Sequence, residues 1–98
     1  MTDVKVTSIT VIGRRWFREG AGHTYHTVEI LVNGQFVHKS ERTYGYGNQY
    51  EWTARDWLLR EGYLEMEGSP TDSLAFCCQK QGIVYATTVI DVGRKADL

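Results

Sequence analysis

The chain has 98 residues, 42% hydrophobic and 23% charged, with a net charge of −1. That length suits one domain, residues 1–98, with a modest core, and ten glycines against a single proline is not a disordered composition. The charge balance excludes capture of nucleic acid by bulk positive charge and mimicry of DNA by bulk negative charge, and no apolar run approaches the roughly 20 residues of a membrane helix. The N-terminus has no signal-peptide pattern, and the two cysteines, Cys77 and Cys78, are adjacent, which disfavours a disulfide. A reducing, cytoplasmic setting is expected, with both thiols as small buried groups.

Val4 to Ile12 is rich in β-branched residues and reads as a strand. Its alternation changes phase: Val4 and Val6 fall on one face, Ile9 and Val11 on the other. That predicts a bulge near Ser8 or burial on both faces. The strand continues through Arg14-Arg15-Trp16-Phe17-Arg18, with Arg14, Trp16 and Arg18 on one face and Arg15 and Phe17 on the other. A turn over Glu19–Gly22 leads into a strand from Tyr25 to Val32, placing Trp16 opposite Tyr25 and Arg18 opposite His23.

Asn33-Gly34 between apolar runs predicts a type I′ hairpin turn. Its register pairs Val32 with Gln35, Ile30 with Val37 and Val28 with Lys39 on one face. Leu31 then faces Phe36, and Glu29 faces His38, on the other. The expected core set is Val28, Ile30, Val32 and Val37.

Thr43 to Trp52, TYGYGNQYEW, leads into a helix. Asn48 and Glu51 have capping-box spacing, Glu51–Arg55 and Asp56–Arg60 are favourable i,i+4 pairs, and Gly62 is the stop. Tyr50, Ala54, Trp57 and Leu58 form the stripe that should meet the sheet. Trp52 and Leu59 lie on the other side and are left for a loop, a partner or a second copy of the chain. After an acidic loop around Gly68 and Pro70, Leu74–Gln79 and Ile83–Val92 flank Lys80-Gln81-Gly82. They read as a second hairpin; the alternative left open is a short helix from Asp72 to Gln81 ended by Gly82. The order β-β-β-α-β-β gives an α+β fold: an antiparallel sheet of about five strands with one helix on a face.

Arginine alternating with aromatic residues suits single-stranded nucleic acid, protein interfaces, or a half-buried hairpin with solvated cations. The glycine-rich helix entrance lacks the lysine and Ser/Thr of a P-loop, and plain architecture accounts for it better than a phosphate cradle. His23 and His26 point to opposite faces of a strand, so no metal site is expected. No serine sits in a nucleophile elbow, and a His26–Glu41 pair is of a kind common on polar sheet faces. Neither catalysis nor a cofactor is expected.

RRWF at 14–17, GHTYHTVEI at 22–30, YGYGNQY at 44–50 and DVGRKADL at 91–98 together resemble segments of small proteins encoded by tailed phages and prophages. The resemblance covers most of the chain and supplies no catalytic residues. It implies a product made inside a bacterial host, and proteins of that class often inhibit or modify host machinery, anti-CRISPR proteins among them. The expected function is therefore non-enzymatic docking on a host protein complex. Trp16, Tyr25, Tyr44, Tyr46, Trp52 and Leu59 are the expected anchors, with Arg14 and Arg18 giving orientation. The alternatives are nucleic-acid binding through the Arg/Trp/Tyr surface, and a homodimer through Trp52 and Leu59.

Overall fold

The computed structural model describes residues 5–18, 20, 22–66 and 69–98. Strands β1 (Ser8–Arg18), β2 (His23–Val32), β3 (Gln35–Lys39) and β4 (Thr43–Tyr44) precede helices α1 (Gln49–Arg60) and α2 (Leu74–Lys80). Strand β5 (Val84–Asp91) and a 3₁₀ turn at Lys95–Asp97 complete the chain. The sheet runs β3-β2-β1-β5, with β4 paired to β2 beside β3. The class is α+β, as expected, and the sheet is mixed: β5 lies parallel to β1, while the other pairs are antiparallel. A parallel neighbour requires a long crossover, and the segment carrying α1 and α2 supplies it.

Regular pairing begins at Ser8, so Val6 precedes the strand and Val4 lies outside the described residues. From Ile9↔Val32 to Arg18↔His23 the β1–β2 register is unbroken, with Trp16 opposite Tyr25 as predicted. The phase change therefore marks the strand's start, and no bulge forms at Ser8. Asn33 makes that start. Its backbone (φ 52°), with Gly34 (φ 81°), forms the expected turn. Its side-chain oxygen accepts from Thr7 N (2.8 Å), Thr7 Oγ1 (2.9 Å) and Ser8 N (3.2 Å), and its amide donates to the Lys5 carbonyl (2.9 Å).

Beyond the turn, the Val32↔Gln35 and Leu31↔Phe36 pairs hold, but the register slips between Ile30 and Leu31. Ile30 faces His38 rather than Val37, and Glu29 faces Lys39 rather than His38. The bulge turns His38 toward the helix, where its ring stacks on Trp57 with centroids 4.4 Å apart and planes 7° from parallel. A flat partner on α1 explains the slip, because an unbulged strand would hold His38 on the far face. Val37 remains half-buried against the core.

Asn48 occupies the N-cap of α1 without a side-chain cap. Glu51 accepts instead from the Tyr85 hydroxyl at 2.6 Å, so the capping box does not form. Burial first, and the Glu51 carboxylate next, push the Tyr85 phenol far above its ordinary pKa. Arg55 is also diverted: it is 4% exposed, donates to the Pro70 carbonyl (2.9 Å) and Asp56 (3.2 Å), and lies 5.1 Å from the Trp52 ring centroid. The predicted Glu51–Arg55 and Asp56–Arg60 pairs give way to these contacts. Gly62 (φ 83°) ends the helix, with Tyr63 N and Leu64 N both donating to the Leu58 carbonyl.

Residues 74–80 resolve the open alternative as a helix. Ser73 caps it by accepting from Phe76 N at 3.2 Å, and Leu74, Cys77 and Cys78 share the buried side at i, i+3, i+4 spacing. The second predicted hairpin is therefore absent, and β5 pairs with β1. The core is one cluster between sheet and helices, built on Ile9, Val11, Val28 and Ile30 from the sheet, Tyr50, Ala54 and Leu58 from α1, and the α2 residues. Both thiols are free and buried. Burial, then Cys77 beside it, pushes the Cys78 thiol up to about 11. No helix among the described residues is long and apolar enough to cross a membrane.

Candidate binding surface

Strand alternation divides the sheet into two faces. Ile9, Val11 and Gly13 face the helices, so Ile12, Arg14, Trp16 and Arg18 lie on the open face. Tyr25 on β2 pairs directly with Trp16 on one side and with Tyr44 of β4 on the other. Their rings form a continuous cluster: Trp16–Tyr25 centroids are 6.1 Å apart and stacked, and Tyr25–Tyr44 are 5.8 Å apart and edge-on. His23 meets Tyr44 edge-on at 5.3 Å. Tyr44 is 58% exposed, while Trp16 and Tyr25 are half-buried.

Three of the expected anchors are thus brought into ring contact. Tyr46, 71% exposed, lines an adjoining open recess of about 820 Å³ that also takes in Trp16 and Arg18, with Arg15 and Phe17. Trp52 and Leu59 sit on α1, half-buried. Trp52 lies under Arg55, and Leu59 packs against the core, so both have partners within the chain.

The cations divide in the same way. Arg14 is ion-paired with Glu29 across β1–β2. Arg15 binds Asp91 through Nε (2.8 Å) and the Gly47 carbonyl (3.0 Å). Arg18 lines a smaller recess of about 320 Å³ whose other walls are Trp16, Tyr25, Arg42 and Lys95. Among the described residues no carboxylate lines it, and none of its three cations has an ion-pair partner. Sequence reasoning missed Arg42 and Lys95. Arg42 adjoins the tyrosine-glycine stretch, which was a usable signal. Lys95 arrives only because β5 runs parallel beside β1, which brings the residues after it to the end of β1.

Of the two glycines of that stretch, Gly47 (φ +62°) supplies a left-handed backbone turn with open space around it, and Gly45 serves close packing. Gly45 has φ +154°, and a Cβ there would sit 2.8 Å from Gln49 Cβ and 3.1 Å from His26 Cε1. Its N–H donates to the Thr24 carbonyl (2.9 Å), and Gln49 N donates to the Tyr46 carbonyl (3.1 Å). Those two amides are occupied within the chain and are not available to an anion.

His26 is the buried polar group beneath the site. It is 1% exposed; Nδ1 lies 3.2 Å from the Gly45 carbonyl and Nε2 2.7 Å from Thr53 Oγ1. A carbonyl only accepts, so Nδ1 carries the proton and Nε2 accepts from Thr53. Glu41 is exposed, and the His26–Glu41 pair considered from sequence does not form. Burial lowers the His26 pKa, with the Gly45 hydrogen bond acting the other way. The unfolded chain therefore binds this proton near pH 6.5 while the folded one does not, and stability falls as pH drops below that value. Urea midpoints are expected to decrease from about pH 7 to about pH 5, with part of that slope absent in His26→Gln. Equal slopes in both proteins would remove His26 as the cause.

Among the described residues no group of three or more His, Cys, Asp or Glu side chains is placed to hold a metal ion. What the surface offers is three aromatic rings in contact, beside three cations that have no ion-pair partner among the described residues. Compared with known proteins, the chain matches no family model, no curated protein and no solved structure.

Proposed function

We propose that the chain is a non-enzymatic binding protein that docks through the Trp16–Tyr25–Tyr44 cluster on a host protein complex and inhibits or redirects it. Inhibition of a bacterial defence complex, such as a CRISPR effector, is its most specific form and rests on the phage resemblance. One observation carries the reading: three aromatic rings meet on a rigid sheet, beside three cations with no ion-pair partner among the described residues. Aromatic and arginine side chains dominate binding hot spots, the rings because they bury large area at small entropy cost, and cations select an anionic complement. Arg14 takes a supporting role, since its charge is already used by Glu29.

The test is a phage-plating assay in a bacterium with active CRISPR immunity that expresses this chain, paired with recovery of the effector on the tagged protein. Trp16→Ala with Tyr44→Ala is expected to abolish both protection and recovery, with a circular-dichroism melt close to that of the parent. Retention of both by a folded double variant would end the proposal.

A second reading, single-stranded nucleic acid, is favoured by the recess of Arg18, Arg42 and Lys95 beside Trp16 and Tyr25, whose lining includes no carboxylate among the described residues. Each phosphate contact would add about 0.7 to the slope of log affinity against log salt. Fluorescence anisotropy with a labelled single-stranded oligonucleotide is expected to show that slope fall by about one contact in Arg42→Ala. No binding at low salt would dismiss it.

A further inference from the structure

The two edges of the sheet are built differently. The β3 edge is five residues long, carries the register slip and ends in Lys39, with β4 beside it. Those features discourage strand addition. At the other edge, β5 is eight residues, VYATTVID, with no proline, lysine, arginine or bulge. Its single charge, Asp91, is held by Arg15. Val84 is 70% exposed and Ile90 45% exposed.

The edge also has a definite polarity. Val84 N donates to the Thr7 carbonyl (3.0 Å) and Val92 N to the Arg15 carbonyl (2.7 Å), so even-numbered residues aim their peptide groups at β1. Odd-numbered Tyr85, Thr87 and Val89 turn theirs outward. We infer that β5 pairs antiparallel with β5 of a second copy of this chain, about a two-fold axis through Thr87, joining two sheets into one.

That register is self-complementary. Thr87 faces Thr87 of the second copy, and Tyr85 faces Val89, as hydrogen-bonded pairs that use the outward peptide groups. On the open face Val84 meets Ile90 and Ala86 meets Thr88. Apolar and small residues thus oppose one another, and no like charges are brought together. The exposed Val84 and Ile90 gain cross-strand partners. Because the axis stands perpendicular to the sheet, both aromatic clusters face the same side, at opposite ends of the joined sheet. The inference is independent of what those clusters bind.

The experiment is light scattering over a concentration series, with amide hydrogen exchange on the same samples. The parent is expected to rise from the 11.2 kDa chain mass toward twice that value. Ala86→Lys with Thr88→Lys sets like charges opposite one another at exposed positions and is expected to give monomer; Ala86→Glu with Thr88→Glu behaves the same way alone. Mixed one to one, the two variants are expected to recover the doubled mass. Protection of the Thr87 and Val89 amides should rise with concentration, while that of Ala86 and Thr88 stays constant. A parent that is monomeric throughout overturns the inference, as does a dimer that survives the lysine pair, the result a Trp52–Leu59 contact would give. Failure of the mixture to reassociate overturns the antiparallel register. Should the variants unfold, the odd–even exchange pattern of the parent decides alone, and protection independent of concentration counts against a second copy.

Discussion

Gly13→Val is expected to destabilise the fold by about 1–3 kcal/mol, although strand propensity alone predicts a gain. An ideal Cβ at position 13 lies 2.5 Å from Tyr50 Cδ2 and 2.7 Å from Cγ. The ring cannot step aside cheaply. It is 5% exposed, its hydroxyl lies 3.0 Å from Thr87 Oγ1, and Thr87 in turn donates to the Val11 carbonyl at 2.9 Å. Glycine therefore sits in mid-strand because α1 rests an aromatic ring directly on the β1 backbone. Urea unfolding measures the effect through the midpoint at unchanged slope. Tyr50→Leu should recover part of the loss in the double variant, because the two changes act on one contact. A Gly13→Val protein as stable as its parent would mean that the ring does not lie there.

The second large effect is Leu58→Ala, at about 2–5 kcal/mol. Leu58 is fully buried, between sheet and helix, and its carbonyl receives the two amides that close α1. Neighbours of a lost leucine in a sheet–helix layer relax only partly, so a cavity adds to the transfer cost. Leu59→Ala supplies the internal comparison. Leu59 is only half-buried, and its loss should cost less than half as much. Equal losses at 58 and 59 would place the helix in a different rotation about its axis.

That rotation was legible from spacing, since Tyr50, Ala54 and Leu58 repeat every four residues and all three are buried. So were the β1–β2 register, the Asn33-Gly34 turn and the Gly62 stop, each set by residues adjacent in the chain or by a strict period of two. The candidate surface was legible in part. Trp16 and Tyr25 were placed together because a hairpin register follows from its turn, and Tyr44 joined them through a two-residue strand too short to read. Arg42 and Lys95 were missed because their positions depend on where the chain returns.

Local chemistry by itself determined the α+β class, the Asn33-Gly34 turn between β2 and β3, the Gly62 stop of α1, and which stripe of α1 is apolar. The tertiary structure alone decided that β5 runs parallel beside β1, that the register slips so His38 can stack on Trp57, and that Arg55 is buried on the Pro70 carbonyl rather than paired with Glu51. The physical reason is the range of the interactions. Turns, caps and periodicity arise between residues a few positions apart, whereas each of the other choices balances one long-range contact against another, and only the assembled layers set which is stronger.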